Sequence, residues 1–367
     1  MENNHLSAEF SAENNLTKTF QEFVQIPSPT GAELEFSCFL KSKLEDLGLK
    51  VYQDERANLF TRLNGHGEPV LLVAHLDTVG ELVKIKPIFD NGIFKSDGTT
   101  ILGADNKASV TVIYELIKHL KTKNIDHRPI EVLFSVAEEA GISGIDTFDF
   151  SKVTAKEGLC IDAARPVGTV ILSSPFYLRQ TFKILGKPAD SSNAQNGQDV
   201  LEALSKFIEK TKVFYQENTL FNIGIIKGGT GTNILLSEIE LEAELRAFCE
   251  EDLTLAKQKI KDLFEESCIE GKTRGKYHEV LENQGYVFNK EDSFVNQVTN
   301  KLSRVVSQKR VNLIEKYWGV SDVNNINAKG IKMVNLGYGA QNTHTVFEKV
   351  ALRSLVEIFD FLINYLK

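Results

Sequence analysis

No stretch of this chain of 367 residues approaches the roughly 18 consecutive apolar residues that a membrane-spanning helix needs, so no membrane partner is expected. Cysteine is scarce: Cys38, Cys160, Cys249 and Cys268 lie far apart with no CxxC pair. That spacing argues against a thiolate zinc motif and against a disulfide framework, and it fits a reducing, cytoplasmic setting. A massed basic patch is also missing. The formal net charge is -8, with Lys and Arg scattered, which argues against nucleic acid as a partner. The opening Met-Glu-Asn-Asn-His is polar and acidic, without the basic start and apolar centre of a secretion signal. There is no internal repeat and no low-complexity segment. The Gly-Gly-Thr-Gly run at 228–231 lacks the Gly-Lys-Ser/Thr ending of a phosphate-binding loop, and no Ser/His/Asp triad competes.

What remains is an ordinary globular composition, 42% hydrophobic and 25% charged. The chain is longer than one hydrophobic core usually supports, so two domains are expected. Helices are predicted over 12–25 and 32–47, the second carrying Phe36, Phe39, Leu40, Leu44 and Leu47 on one face before Gly48. Three short apolar runs, 70–74, 130–136 and 159–161, read as buried strands. A helix over 107–121 falls between the first two. Strands alternating with helices predict a mostly parallel sheet covered on both faces. From Pro175 the character changes. Strand 176–185, helix 198–211, strands 220–227 and 234–247, helix 251–270 and strand 276–288 follow in the β-α-β-β-α-β order of a ferredoxin-like α+β domain. The α/β pattern then returns, with a helix over 292–308, strands 311–317 and 331–336, and a closing helix over 346–366. The expected organisation is an α/β domain, 1–175 and 289–367, interrupted by a domain over 176–288.

The chemical side chains follow the ends of the predicted strands, where open α/β sheets bind ligands. His75 and Asp77 follow the first strand, Glu138 and Glu139 the second, and Asp162 the third. Asp105 stands just before a helix, and His344 lies beyond Gly337-Tyr338-Gly339. Two histidines with four or more acids make the N/O donor set of zinc, cobalt or manganese. In His75-x-Asp77 the carboxylate is placed to take the imidazole's second N–H. Each residue alone also has a plainer reading: adjacent glutamates as a solvated face, Asp105 as a helix cap, Asp162 as a polar strand end. Their joint occurrence favours a metal centre.

Together these segments resemble the peptidase T, carboxypeptidase G and aminoacylase family of co-catalytic zinc hydrolases, over nearly the whole chain. The matching runs are Ala74-His75-Leu76-Asp77-Thr78-Val79, Asp97-Gly98-Thr99-Thr100-Ile101-Leu102-Gly103-Ala104-Asp105-Asn106-Lys107-Ala108 and Ala137-Glu138-Glu139-Ala140-Gly141. They continue with Cys160-Ile161-Asp162-Ala163, Gly228 to Ile234, Trp318 to Asp322 and Leu336 to Thr345. The Gly-Thr-Thr-Ile-Leu-Gly-Ala-Asp run is similar to the peptidase T branch. The resemblance implies two divalent metal ions, with Asp105 bridging them. His75 and Asp162 would complete one site, and Glu139 and His344 the other. It further implies that Asp77 orients His75, that Glu138 is the general base, and that the Asp105–Asn106 peptide is cis. The activity implied is removal of the N-terminal residue from short peptides, by a catalytic domain carrying a lid domain that pairs in a homodimer. Cleavage of N-acyl amino acids on the same centre is the alternative.

The pattern breaks in the inserted domain. Relatives carry a His in Gly-Lys-x-Ala-His-Ala-Gly, where this chain has Gly186-Lys187-Pro188-Ala189-Asp190-Ser191-Ser192. An ionised Asp only accepts hydrogen bonds and repels an oxyanion. Three expectations follow. Asn233 and Arg246, which match family substrate-binding positions, replace the donor; or Asp190 binds a positive group such as a free α-amine; or the chain is a slow or non-catalytic metal-binding relative. Asn233 and Arg246 also have plain readings, as a turn Asn and an ion-paired strand Arg. Asp322 is expected to line or support the site.

Overall fold

The computed structural model describes residues 2–212, 218–306 and 311–367, with side chains from residue 12 onward. Two compact units divide them, Met1–Leu172 with Phe288–Glu315 and Ser321–Lys367, and Ser173–Val287 with Lys316–Val320.

The larger unit is built on an eight-stranded sheet in the order Val51–Gln53, Leu59–Leu63, Ile130–Ser135, Val70–His75, Glu157–Ala163, Lys332–Gly337, Thr169–Ile171, Asn312–Ile314. Its four central strands are mutually parallel, so their C-terminal ends share one edge. Every residue of Val70–His75 and of Ile130–Ser135 is buried, which is why they read as mainly apolar segments rather than as alternating ones, with Glu131 the buried exception. Val70, Leu72 and Ala74 join the main core, while the intervening side chains face the other side. That core is closed by Ala104–Lys123 and Leu352–Leu366, helices whose apolar stripes pack on each other.

Several expected boundaries move. The first helix begins at Glu2, not 12. Leu352–Leu366 begins six residues later than its apolar period suggests, because Lys349–Ala351 pairs as a strand with Ile93–Lys95. Helix Ser293–Leu302 stops short of 308, and residues 307–310 lie outside the described set. Asp162 lies inside strand Glu157–Ala163 rather than after it. Short strands at 51–53, 59–63, 88–95 and 169–171 and the helix Asp322–Ala328 were not anticipated; their burial patterns are mixed or their runs too brief for periodicity to register.

The smaller unit has a four-stranded antiparallel sheet in the order Thr219–Gly228, Glu238–Ala247, Phe176–Leu185, Arg274–Asn283, with helices Leu201–Thr211 and Glu250–Glu270. Chain order and strand order are those of a ferredoxin-like domain. Alternation is clean: Leu178, Phe182 and Ile184 and, on the next strand, Ile239, Leu241 and Leu245 are buried against the helices. The expected strand 276–288 is broken near Gly285, with Tyr286–Val287 pairing instead to Ser173–Ser174. Lys316–Val320 joins this unit, held by the Trp318 ring on Phe248 at 4.6 Å.

Candidate metal centre

The parallel edge of the larger unit gathers the side chains. His75 ends its strand, and Glu138 and Glu139 follow Ile130–Ser135. Asp162 is two residues from the start of a bend, and Asp105 opens the helix beginning at Ala104. Gly103 is left-handed (φ 71°), and Asp105 and Asn106 depart from helical geometry, joined by a cis peptide as the resemblance implied. His344 is presented by a loop in which it and Asn342 both have positive φ, 64° and 54°, a conformation that costs a side-chain-bearing residue energy and recurs at functional sites.

Asp105 stands between two imidazoles, one on each carboxylate oxygen. His75 Nε2 is 3.4 Å from Oδ1 and His344 Nε2 is 3.4 Å from Oδ2. His75 Nε2 is also 3.2 Å from Asp162 Oδ1, and His344 Nε2 is 2.9 Å from Glu139 Oε1. Yet Asp105 Oδ1 and Glu139 Oε1 are buried without a hydrogen-bond partner. The imidazoles approach these oxygens at short range. Lone pairs that converge without bonding each other are what a shared cation requires, and one ligand atom each from His75, Asp105 and Glu139 fall within 4.8 Å of one another. The donor set therefore fits divalent metal.

The electrostatics agree. Burial works against a charged His75, but Asp162, Asp105 and Asp77 outweigh it and hold the imidazole well above its usual pKa. Asp105 and Glu139 lift His344 to about 10. Burial would raise Asp105, yet His344 and His75 draw it down to about 2. Burial pushes Asp162 up to about 6, and burial together with Asp162 pushes Glu138 well above the carboxylate range. The cluster favours positive charge at its centre.

Supporting contacts fix the ligands. His75 Nδ1 lies 3.0 Å from the Asp77 carbonyl oxygen and 3.3 Å from Asp77 Oδ1. The Asp77 carboxylate also accepts the amides of Glu138 (3.0 Å) and Glu139 (3.1 Å) and the Thr30 hydroxyl (2.8 Å). Asn106 donates to Asp162 Oδ1 at 2.7 Å. Asp322 is buried, accepts from Ser135 Oγ, and is pushed up to about 7 by burial. The sequence reading missed Glu348, a buried carboxylate that accepts the amides of Leu102 (2.8 Å), Gly103 (2.7 Å) and Asp105 (3.0 Å). It sits four residues after His344 and so ties the two ligand loops; its only signal in sequence was an acid within an apolar stretch.

The turn after Glu139 leaves no room at Gly144, where a Cβ would lie 1.7 Å from the Val136 carbonyl oxygen. Gly144→Ala is expected to cost about 1–3 kcal/mol, read as a lower denaturant midpoint. A midpoint equal to wild type would show that the turn yields freely.

The remaining candidates belong to the smaller unit. Asp190 is exposed; its Oδ1 accepts the amide (2.9 Å) and hydroxyl (2.7 Å) of Ser192 and so caps the turn that follows. Asn233 lies beside it, its carbonyl accepting the Ser191 amide at 2.9 Å, and its side chain is exposed. Arg246 is elsewhere, near the opposite end of Glu238–Ala247. There it donates to the Trp318 carbonyl (2.6 Å) and to Glu244 (2.8 Å), with its guanidinium 4.8 Å from the Tyr177 ring centre. His278 pairs with Thr181 in the sheet.

A family model described as peptidase family M20/M25/M40 matches residues 71–367. The protein YqjE of Bacillus subtilis is 34% identical over 96% of this chain and 97% of its own. Among solved structures, a tripeptidase from Staphylococcus aureus superposes with a TM-score of 0.90 at 33% identity, covering 97% of this chain and 98% of that one. The aminopeptidase PepT from Bacillus cereus superposes with a TM-score of 0.87 at 30% identity, covering 96% and 98%.

Proposed function

The chain belongs to peptidase family M20/M25/M40 and is a metallopeptidase, and we propose that it is a di-zinc exopeptidase releasing the N-terminal residue of short peptides, tripeptides above all. The observation that carries the reading is Asp105, whose two oxygens each face a different imidazole. Asp105 would be shared between two positions, one completed by His75 and Asp162, the other by Glu139 and His344. When bound, a pair of divalent cations supplies a Lewis acid for the scissile carbonyl and lowers the pKa of the attacking water. Glu138 takes the proton from that water and delivers it to the leaving amine. Asp77 orients His75 and, through the Glu138 and Glu139 amides, sets both glutamates at once. Asp322 buttresses the same wall from behind through Ser135. Zinc suits the His and carboxylate donors, as do cobalt and manganese.

Substrate contacts come from the smaller unit. Asp190 is suited to a free α-amine, Asn233 to a backbone group and Arg246 to a carboxylate. Eight strand residues at about 3.3 Å each put Arg246 on the order of 25 Å from the other two, beyond the reach of one tripeptide. A homodimer through the inserted unit is the assembly that the family resemblance implies. The four cysteines are unpaired, which supports a cytoplasmic setting, and no described helix is long and apolar enough to cross a membrane.

The test is an unblocked tripeptide beside its N-acetylated form, with zinc supplied. The free tripeptide is expected to yield its N-terminal residue and a dipeptide at least about 10²-fold faster, since the N-acetyl group removes the charge that Asp190 would read and a missing polar partner costs on that order. Faster cleavage of an N-acyl amino acid would select the amidohydrolase reading. Neither being cleaved, with metal bound stoichiometrically, would overturn the proposal in favour of a binding protein.

A further inference from the structure

The segment 26–33 carries none of the residues assigned above, yet it grips three of the backbone pieces that present them. Ser28 Oγ donates to the Leu76 carbonyl at 2.7 Å, and Thr30 Oγ1 to Asp77 at 2.8 Å. Lys107, two residues beyond Asp105, donates to the Ile26 carbonyl at 2.5 Å. The last contact is made by Glu33. This residue holds the N-cap position of helix Leu34–Asp46, where a side chain normally turns back onto its own helix, but it makes no capping bond. Its buried carboxylate reaches across instead and accepts the amide of Ala137 at 3.1 Å, a partner 104 residues away.

Ala137 needs a partner. Its φ is 51°, in the left-handed region that disfavours a residue bearing Cβ by about 1–2 kcal/mol. In a continuing strand residues 138 and 139 would face opposite sides of the sheet. The left-handed residue breaks that alternation, and both carboxylates come to one cluster: Glu139 reaches His344, and Glu138 feels Asp162 and His75. Four successive amides, 136 to 139, each donate to a side-chain oxygen, of Asn58, Glu33 and then both of Asp77. Glu33 is the member of that series on the strained residue itself.

We propose that Glu33 is a positioning residue for peptide hydrolysis, holding Ala137 in the turn that aims Glu138. The proposal rests on the metallopeptidase reading, in which Glu138 moves the proton. A helix-capping role makes the opposite demand on substitutions. Glu33→Asp keeps the negative charge at the helix start and is a good cap, but it is one methylene too short for Ala137. Glu33→Gln keeps the reach and an acceptor oxygen but loses the charge.

The experiment measures kcat, KM, bound zinc and amide hydrogen exchange for wild type, Glu33→Gln, Glu33→Asp and Glu33→Ala. Positioning requires that Glu33→Gln keep kcat within about 5-fold and that Asp and Ala lower it by about 10²-fold. A shift of about 1 Å at a reacting group carries a loss of that size. KM should stay within about 3-fold, zinc content should be unchanged, and exchange at 137–139 should accelerate in Asp and Ala only. The proposal is overturned if Glu33→Asp matches wild type, if Glu33→Gln is as slow as Ala, or if activity is lost in step with zinc. Hydrogen exchange also decides the matter independently of turnover: a wild type that cleaves no peptide ends the functional reading, while the exchange order across the variants still supports or sinks the role of Glu33.

Discussion

Glu138→Gln is expected to lower kcat on an unblocked tripeptide by about 10³-fold, within the range usual for loss of a general acid–base group, with KM and bound metal little changed. Glutamine fills the same volume and can still donate and accept hydrogen bonds, but it takes no proton from water at neutral pH. The substitution leaves the backbone that sets the site intact, because position 138 is held by its amide on Asp77, not by its side chain. Burial and the neighbouring Asp162 carboxylate raise the Glu138 pKa above the usual carboxylate range. Metal content measured beside kcat separates this from a folding or loading defect. A variant that retains a tenth of wild-type kcat would assign the proton to another group and remove Glu138 from the mechanism.

Asp105→Asn should have the larger effect on metal. Among the described residues Asp105 is the one carboxylate in ion-pair contact with both His75 and His344, and asparagine offers one oxygen where two are needed, with an amide NH2 pointed at the other position. A ligand that binds only the folded chain stabilises it by about 4 kcal/mol at a thousandfold excess over its dissociation constant. Wild type should show a zinc-dependent rise of that order in unfolding free energy, and Asp105→Asn less than about 1 kcal/mol under the same conditions. Denaturant titrations with and without zinc read this without any assay of turnover. Equal zinc-dependent stabilisation of the two proteins would place the metal elsewhere.

The parts of the fold and site that the sequence made legible share one property: their signal is local. The apolar runs at 70–74 and 130–136 announce buried parallel strands because both faces are covered, and the acids and histidines directly after them inherit a common edge. The alternation in Phe176–Leu185 and Glu238–Ala247 announces a sheet with one covered face in the same way. What stayed hidden depends on partners far along the chain. Glu33 reads as an ordinary acid at a helix start, and Glu348 as a break in an apolar run; their roles exist only because the fold brings them to amides 104 and 246 residues away. The closing helix expected from 346 starts at Leu352; Phe347 is 75% exposed and the chain there turns Glu348 inward instead. The hairpin strands Ile88–Asp90 and Ile93–Lys95, exposed except for the buried Phe94, are too short to show a period. The candidate metal ligands are the part on which composition, spacing and family likeness converge.

The tie from Glu348 to the amides of Leu102, Gly103 and Asp105 makes one short segment answerable for both flanks of the cluster. A displacement of 344–348 moves the second imidazole and at once withdraws three backbone anchors from the Asp105 loop.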